Sequence, residues 1–89
     1  MKTYRLIVNG IVQGINYRKF VLSVAQAHRY KGFTRNLLDG GVEVIINAEF
    51  EEELEFFISK LYEGSLFSTV NHVSSEEIEM KLFETFEVR

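Results

Sequence analysis

Two spacings of apolar residues alternate along the chain, and they predict five strands and two helices. Between residues 4 and 12, apolar side chains recur at every second position, which is typical of a β-strand. Between residues 17 and 30, and again between 49 and 63, they recur three and four positions apart, which favours amphipathic helices. The stretch 42–47 is almost continuously apolar and indicates a central strand. The full prediction is strands at 4–12, 33–37, 42–47, 70–81 and 83–88, and helices at 17–30 and 49–63.

The order of these elements predicts the fold. Apart from the short last strand it is strand, helix, strand, strand, helix, strand, with a hairpin turn at Asp39-Gly40. Right-handed crossovers turn this order into two interlocked split βαβ units. We therefore expect an α+β ferredoxin-like sandwich, βαββαβ, in which an antiparallel sheet of order 4-1-3-2 carries both helices on one face. No linker or repeat interrupts the pattern, so residues 1–89 are expected to form a single domain.

Local signals predict how the first helix begins and ends. Asn16 is expected to cap its N-terminus through the side-chain oxygen, and Gly32 is expected to end it in a left-handed cap. His28 falls on the apolar stripe of this helix, so we expect it to be a partly buried residue rather than a ligand.

The composition narrows the classes of function. The net charge is −3, which argues against binding to nucleic acid or to an anionic membrane, because both need a basic face. The chain has no cysteine and no cluster with metal-ligand spacing, so we expect neither a disulfide nor a metal site. No apolar run is long enough to span a membrane, no signal peptide is visible, and a reducing cytoplasm fits the lack of cysteine.

The loop between the first strand and the first helix carries the strongest chemical signal. Residues 13–17 follow a strand, contain Gly14 and lead to Arg18 at the helix start. Such a loop aims several backbone N–H groups and the positive end of the helix dipole at one position. The arginine adds a planar fork of donors that fits phosphate or carboxylate oxygens. The pattern indicates an anion site, although an ordinary tight turn with a solvent-facing arginine fits the loop chemistry equally well.

Two motifs give the chain a family resemblance. Residues 8–18 read V-N-G-I-V-Q-G-I-N-Y-R and resemble the acylphosphatase signature V-x-G-x-V-Q-G-V-x-[FY]-R, with Ile15 in place of a valine. Residues 32–42 read G-F-T-R-N-L-L-D-G-G-V and are similar to the second pattern of that family, G-[FYW]-x-x-N-x-x-x-G-x-V. The motifs stand in the expected order, and the resemblance covers essentially the whole chain.

The resemblance implies an enzyme that hydrolyses the carboxyl–phosphate bond of small acyl phosphates, without a metal or other cofactor. By matching position, Arg18 and Asn36 are the implied catalytic residues: Arg18 binds the phosphoryl oxygens and Asn36 positions the attacking water. The implied phosphate loop consists of Gln13, Gly14, Ile15, Asn16, Tyr17 and Arg18. An acyl phosphate suits such a site because its carboxylate leaves readily and its loose transition state needs preorganised donors above all.

The expected topology brings the two implied catalytic residues together. The first and second strands are parallel and flank the third, so their C-terminal ends lie at one end of the sheet, about 10 Å apart. Arg18 follows the first strand, and Asn36 lies near the end of the second. Without the resemblance, Asn36 is better interpreted as a surface residue whose amide satisfies a hairpin carbonyl. Gln13 is expected to brace the loop through its side chain, and Arg35 to point away from Asn36 into solvent.

Three positions depart from the family pattern. Thr34 stands where a small apolar residue or valine is usual, the glycine expected after the third strand is missing at 47–50, and Gly64-Ser65 replaces a frequent Gly-Pro. Threonine has nearly the shape of valine, and the other two changes concern the connections of the second helix rather than the predicted site.

Other classes of function fit parts of the same pattern. An acylphosphatase-like domain serves as an anion-binding module in larger carbamoyl-transferring maturation proteins, where it needs little turnover. The methionine at residue 1, and a last strand that ends with the chain, favour a separate enzyme, and a small monomer is the expected state. A ferredoxin-like RNA- or metal-binding domain is disfavoured, because neither the aromatic pattern of RNA-binding strands nor a ligand cluster is present.

Overall fold

A computed structural model describes residues 1–89. The chain forms five strands and two helices in the predicted order; the first two strands start two residues earlier than predicted, and both helices and the last two strands are shorter. Neither helix is long and apolar enough to cross a bilayer. The strands are β1 (Lys2–Ile11), β2 (Lys31–Asn36), β3 (Val42–Ala48), β4 (Thr69–Ile78) and β5 (Phe86–Val88), and the helices are α1 (Tyr17–Ala27) and α2 (Glu51–Glu63).

The sheet has the order β4-β1-β3-β2-β5. Its first four strands confirm the predicted antiparallel ferredoxin-like arrangement. The fifth strand corrects the prediction, because β5 pairs in parallel with β2 and makes the sheet mixed. β1 and β2 both run antiparallel to β3, which lies between them, so they are parallel to each other. The loop after β1 and the hairpin after β2 therefore lie at the same end of the sheet.

The main core lies between the two helices and one face of the sheet. Leu6 and Val8 of β1 are fully buried there, as the alternation in this strand predicted, and they share the cluster with Phe57 and Leu61 of α2. Burial of each such side chain contributes about 1.5–3 kcal/mol relative to exposure. This packing holds the N-terminus of α1 next to the end of β1.

The C-terminus of α1 differs from the prediction. The helix ends at Ala27, and Arg29, not Gly32, adopts the left-handed conformation, with φ 61°. The N–H of Tyr30 donates to the carbonyl of Ala25 at 2.8 Å, the long bond of a Schellman motif. An arginine thus occupies a position that usually takes glycine.

Gly32 serves strand packing instead. It lies in β2 with φ 147°, and a Cβ added there would collide with the carbonyl oxygen of Ile45 in β3. His28 is exposed rather than partly buried, because the helix ends before it, and its ring packs edge-on against Phe56 with centroids 4.7 Å apart.

A charged network holds the face of the sheet that carries no helix. Glu43 of β3 is 4% exposed and accepts hydrogen bonds from Nε of Arg5 and Nε of Arg35, each at 2.6 Å. The side chain of Arg35 therefore points to the predicted face of the sheet, but it pairs with the buried carboxylate of Glu43 rather than lying free in solvent. Burial opposes ionisation of Glu43, yet the hydrogen bonds from the two arginines outweigh it and lower the pKa of this carboxyl.

The lowered pKa of Glu43 makes stability depend on pH. A depressed folded-state pKa contributes stability above the ordinary value of 4.5, and this contribution is lost as the pH falls through the folded-state pKa. Glu43→Gln is expected to lower the free energy of unfolding at pH 7 by on the order of 2 kcal/mol, because charge-assisted hydrogen bonds are lost. Its stability should also fall less steeply below pH 4.5 than that of the wild type. Urea unfolding of both proteins between pH 7 and pH 3 measures this, and parallel pH profiles would contradict it.

Candidate active site

The loop between β1 and α1 is a concave turn with two residues at positive φ. Gly14 has φ 74°, and Asn16 has φ 64° and ψ 24°. The prediction that Asn16 caps α1 through its side chain is wrong, because such a cap needs an extended backbone and this asparagine is left-handed. Left-handed residues within a turn point neighbouring N–H groups to the same side, which is the geometry of an anion-binding nest.

The backbone N–H groups of this loop have no acceptor within the protein. From Gln13 through Lys19, none donates to a backbone or side-chain oxygen. The first turn of α1 also lacks acidic residues, whereas α2 begins with three glutamates at 51–53. Acidic side chains at a helix start offset the positive end of the dipole, so α1 keeps its positive potential. Free donors at a helix N-terminus are suited to an anion.

Tyr17 fixes the rotation of α1 at the site. Its side chain is 1% exposed, and its hydroxyl donates to the carbonyl of Leu61 in α2 at 2.8 Å. Burial raises the pKa of this hydroxyl far above its ordinary value, so the group remains a donor at physiological pH. With Tyr17 held in the core, the following residue, Arg18, is directed out of it.

The residue after the last strand orients Arg18. Arg18 as a whole is half-buried, and its Nη1 donates to the carbonyl oxygen of Arg89 at 2.7 Å. Arg89 is held in turn, because its N–H donates to the carbonyl of Thr34 at 2.8 Å. This contact occupies one of the five guanidinium N–H donors and leaves the others for an anion.

Asn36 ends β2 with its amide unused by the hairpin. The carbonyls of Leu37 and Gly41, which could have engaged it, both accept hydrogen bonds from Nε2 of Gln13 at 2.7 Å. Gln13 therefore braces the loop, as predicted. The asparagine faces the same side of the sheet as α1 and remains available to a ligand.

These groups meet in one cleft of about 320 Å³. Of the residues predicted for the site, Gln13 and Ile15 do not line the cleft, since Gln13 points to the hairpin and Ile15 packs on the core. Sequence reasoning missed Val12, Lys19 and Val88. The position of Lys19 in the first turn of α1 was a usable signal, whereas Val88 arrives only through the pairing of β5 with β2. The lining consists of Val12, Gly14, Asn16, Tyr17, Arg18, Lys19, Asn36 and Val88.

The bracing by Gln13 can be tested directly. Gln13→Met keeps the length of the side chain but leaves the carbonyls of Leu37 and Gly41 without their donor. We expect a loss of about 1–2 kcal/mol in the free energy of unfolding, together with weaker binding of inorganic phosphate. Urea unfolding and calorimetric phosphate titration measure the two effects. Gln26→Met, an exposed change on α1, is the control, and wild-type values for both variants would contradict the bracing role.

Comparison with known proteins agrees with this architecture. The family model described as Acylphosphatase matches residues 4–88. The acylphosphatase of Bacillus licheniformis is 43% identical over 90 residues, covering 99% of this chain and 98% of that protein. The crystal structure of acylphosphatase from Bacillus subtilis superposes with a TM-score of 0.92 at 33% identity, covering 100% of this chain and 99% of that one.

A larger protein contains the same fold as one part. The crystal structure of HypF from T. kodakarensis matches with a TM-score of 0.86 and 32% identity, over 100% of this chain but 12% of that chain. The family model spans nearly all of the chain described here, and the relative from Bacillus licheniformis matches it end to end. The chain therefore belongs to the acylphosphatase family.

Proposed function

We propose that this chain is an acylphosphatase that hydrolyses the carboxyl–phosphate bond of small acyl phosphates, giving a carboxylate and inorganic phosphate. One observation carries the proposal: one cleft is lined by loop and helix residues with unpaired backbone amides, by Arg18, and by Asn36 with its unused side-chain amide. The first two groups suit a phosphoryl group, and the third suits a water molecule beside it.

Arg18 and the loop amides bind the phosphoryl oxygens. The transition state of phosphoryl transfer is loose, and its charge is spread over the three equatorial oxygens. Donors already fixed around those oxygens stabilise this charge without reorganisation, and one such donor is typically worth a factor of 10²–10³ in rate. Here Arg89 fixes the guanidinium, and Gln13 fixes the loop.

Asn36 positions the water that attacks phosphorus. The new bond forms between the water oxygen and phosphorus, while the bond from phosphorus to the carboxylate oxygen breaks and its electron pair leaves with the carboxylate. An amide has no useful pKa, so Asn36 orients the water and does not take its proton, which passes to a phosphoryl oxygen. Orientation alone contributes substantially to such reactions. Because the carboxylate leaves readily, the reaction proceeds without an acid residue or a metal.

The enzyme is favoured over a non-catalytic anion-binding module. The match to HypF covers a small part of that protein, whereas the relatives named acylphosphatase match this chain along nearly their whole length. The free amide of Asn36 supports the same choice, because binding of phosphate alone would not require it.

The proposed activity is tested by phosphate release from benzoyl phosphate. We expect release proportional to protein concentration and unchanged by a chelator of divalent cations. A phosphate monoester, p-nitrophenyl phosphate, should react far more slowly because its leaving group is poorer. Phosphate binding by calorimetry without any turnover of benzoyl phosphate would instead support the binding module.

We further propose that residues 1–89 act as a single, monomeric domain in the cytoplasm, with no nucleic-acid partner. The net charge of −3 and the absence of cysteine support these assignments. Size-exclusion chromatography with light scattering, at the concentration used for the assay, tests the monomer.

A further inference from the structure

Lys19 is a second cation in the cleft. It follows Arg18 in the first turn of α1 and lines the same cavity, which contains no Asp or Glu in its wall. The two residues differ in their surroundings, since Arg18 is half-buried and bound to Arg89, while Lys19 is exposed and takes part in no ion pair. The chain as a whole carries a net charge of −3, so the unpaired ammonium of Lys19 gives the cleft a positive charge that the overall composition does not indicate.

The two cations are placed to meet different parts of a substrate. The phosphoryl group must contact the loop amides and the guanidinium, because these are the fixed donors. The acyl part then extends from the cleft toward solvent, and Lys19 is the exposed cation among the lining residues. A lysine is a point charge on a flexible four-carbon stem, so it can follow acyl groups of different shape better than a fixed arginine.

We propose that Lys19 makes this chain selective for acyl phosphates whose acyl part carries a second anionic group, such as a terminal carboxylate. The inference rests on the proposed function and concerns the same cleft. The phosphoryl group is recognised by Arg18 and the loop, and Lys19 pairs with the anion at the far end of the substrate. An exposed ion pair is worth about 0.2–1 kcal/mol, which corresponds to a selectivity of up to about 5-fold.

A matched pair of substrates tests this inference. Succinyl phosphate carries a free carboxylate, and its monomethyl ester is a neutral compound of nearly the same shape. The readout is the ratio of kcat/KM for the acid to kcat/KM for the ester, measured for wild type, Lys19→Met, Lys19→Arg and Lys31→Met. Lys31 is also exposed, but it begins β2, about 17 Å along the strand from Asn36, so its variant controls for the loss of one charge.

The wild-type ratio should exceed that of Lys19→Met by about 2- to 5-fold, and the difference should shrink as salt is added. Lys19→Arg should keep most of the selectivity, and Lys31→Met should equal the wild type. An unchanged ratio in Lys19→Met, or an equal loss for both substrates, would overturn the inference while leaving the proposed function intact. If the wild type hydrolyses neither compound, the proposed function fails and the inference fails with it.

Discussion

Arg18→Ala is expected to lower kcat/KM for benzoyl phosphate by about 10²- to 10³-fold without unfolding the protein. The guanidinium is the one charged donor whose position is fixed at the mouth of the loop, by its bond to the carbonyl of Arg89. Losing it removes stabilisation of about 2.7–4 kcal/mol from the charged equatorial oxygens. Affinity for inorganic phosphate should fall as well, because the same donors bind the product.

Two further variants separate the effect of Arg18 from general effects of charge. Arg18→Lys keeps a positive charge but loses the planar fork, so it should recover only part of the rate. Arg29→Gly removes an exposed guanidinium at a left-handed position that glycine accepts, and it should behave as wild type. Wild-type kcat/KM in a folded Arg18→Ala protein, measured beside these variants and checked by circular dichroism, would show that the cleft is not the site of turnover.

Asn36→Ala is expected to lower kcat by about 10²-fold or more while leaving phosphate affinity nearly unchanged. A residue that orients water acts in the transition state and contributes little to ground-state binding of phosphate. The unfolding free energy should hardly change, because the amide makes no hydrogen bond in the protein and Gln13 satisfies the hairpin carbonyls.

Steady-state hydrolysis and calorimetric phosphate titration together measure the effect at Asn36. Asn71→Ala, which removes an exposed amide from β4, is the control. Full kcat in Asn36→Ala would exclude the water-positioning role. Equal losses of rate and of phosphate affinity would make Asn36 a phosphate ligand instead.

The sequence predicted the main architecture because the relevant signals are local. Alternation in β1 and the helical spacing around Leu54 and Leu61 reflect which face of an element is buried, and the continuous apolar run of β3 reflects burial of both its faces. With short connections and right-handed crossovers, these elements fit one sheet order. The place of Arg18 and Asn36 at one end of the sheet follows from that order.

The details that were missed depend on tertiary contacts. The position of Gly32 in the sequence is typical of a helix terminator, but its glycine is needed because a Cβ would collide with the carbonyl of Ile45 on the neighbouring strand. Arg29 takes the left-handed position at the end of the helix instead. Asparagine is a common N-cap residue, but Asn16 adopts a left-handed conformation in this loop and its side chain does not cap the helix.

The surroundings of Arg18 could not be read from local patterns at all. Its partner, the carbonyl of Arg89, lies 71 positions away in the sequence, and it reaches the site only because β5 pairs with β2. Val88 lines the cleft for the same reason. The pairing of a three-residue strand is set by the sheet edge that receives it rather than by its own hydrophobic pattern.

Hydrolysis of benzoyl phosphate in water enriched in oxygen-18 tests the central claim most directly. If the loop and Arg18 hold the phosphoryl group while Asn36 directs water to phosphorus, mass spectrometry should find one oxygen-18 atom in the released phosphate and none in benzoate. Oxygen-18 in benzoate would show that water attacks the carbonyl carbon, which contradicts the account. Release of phosphate no faster than in the absence of the protein would contradict it equally.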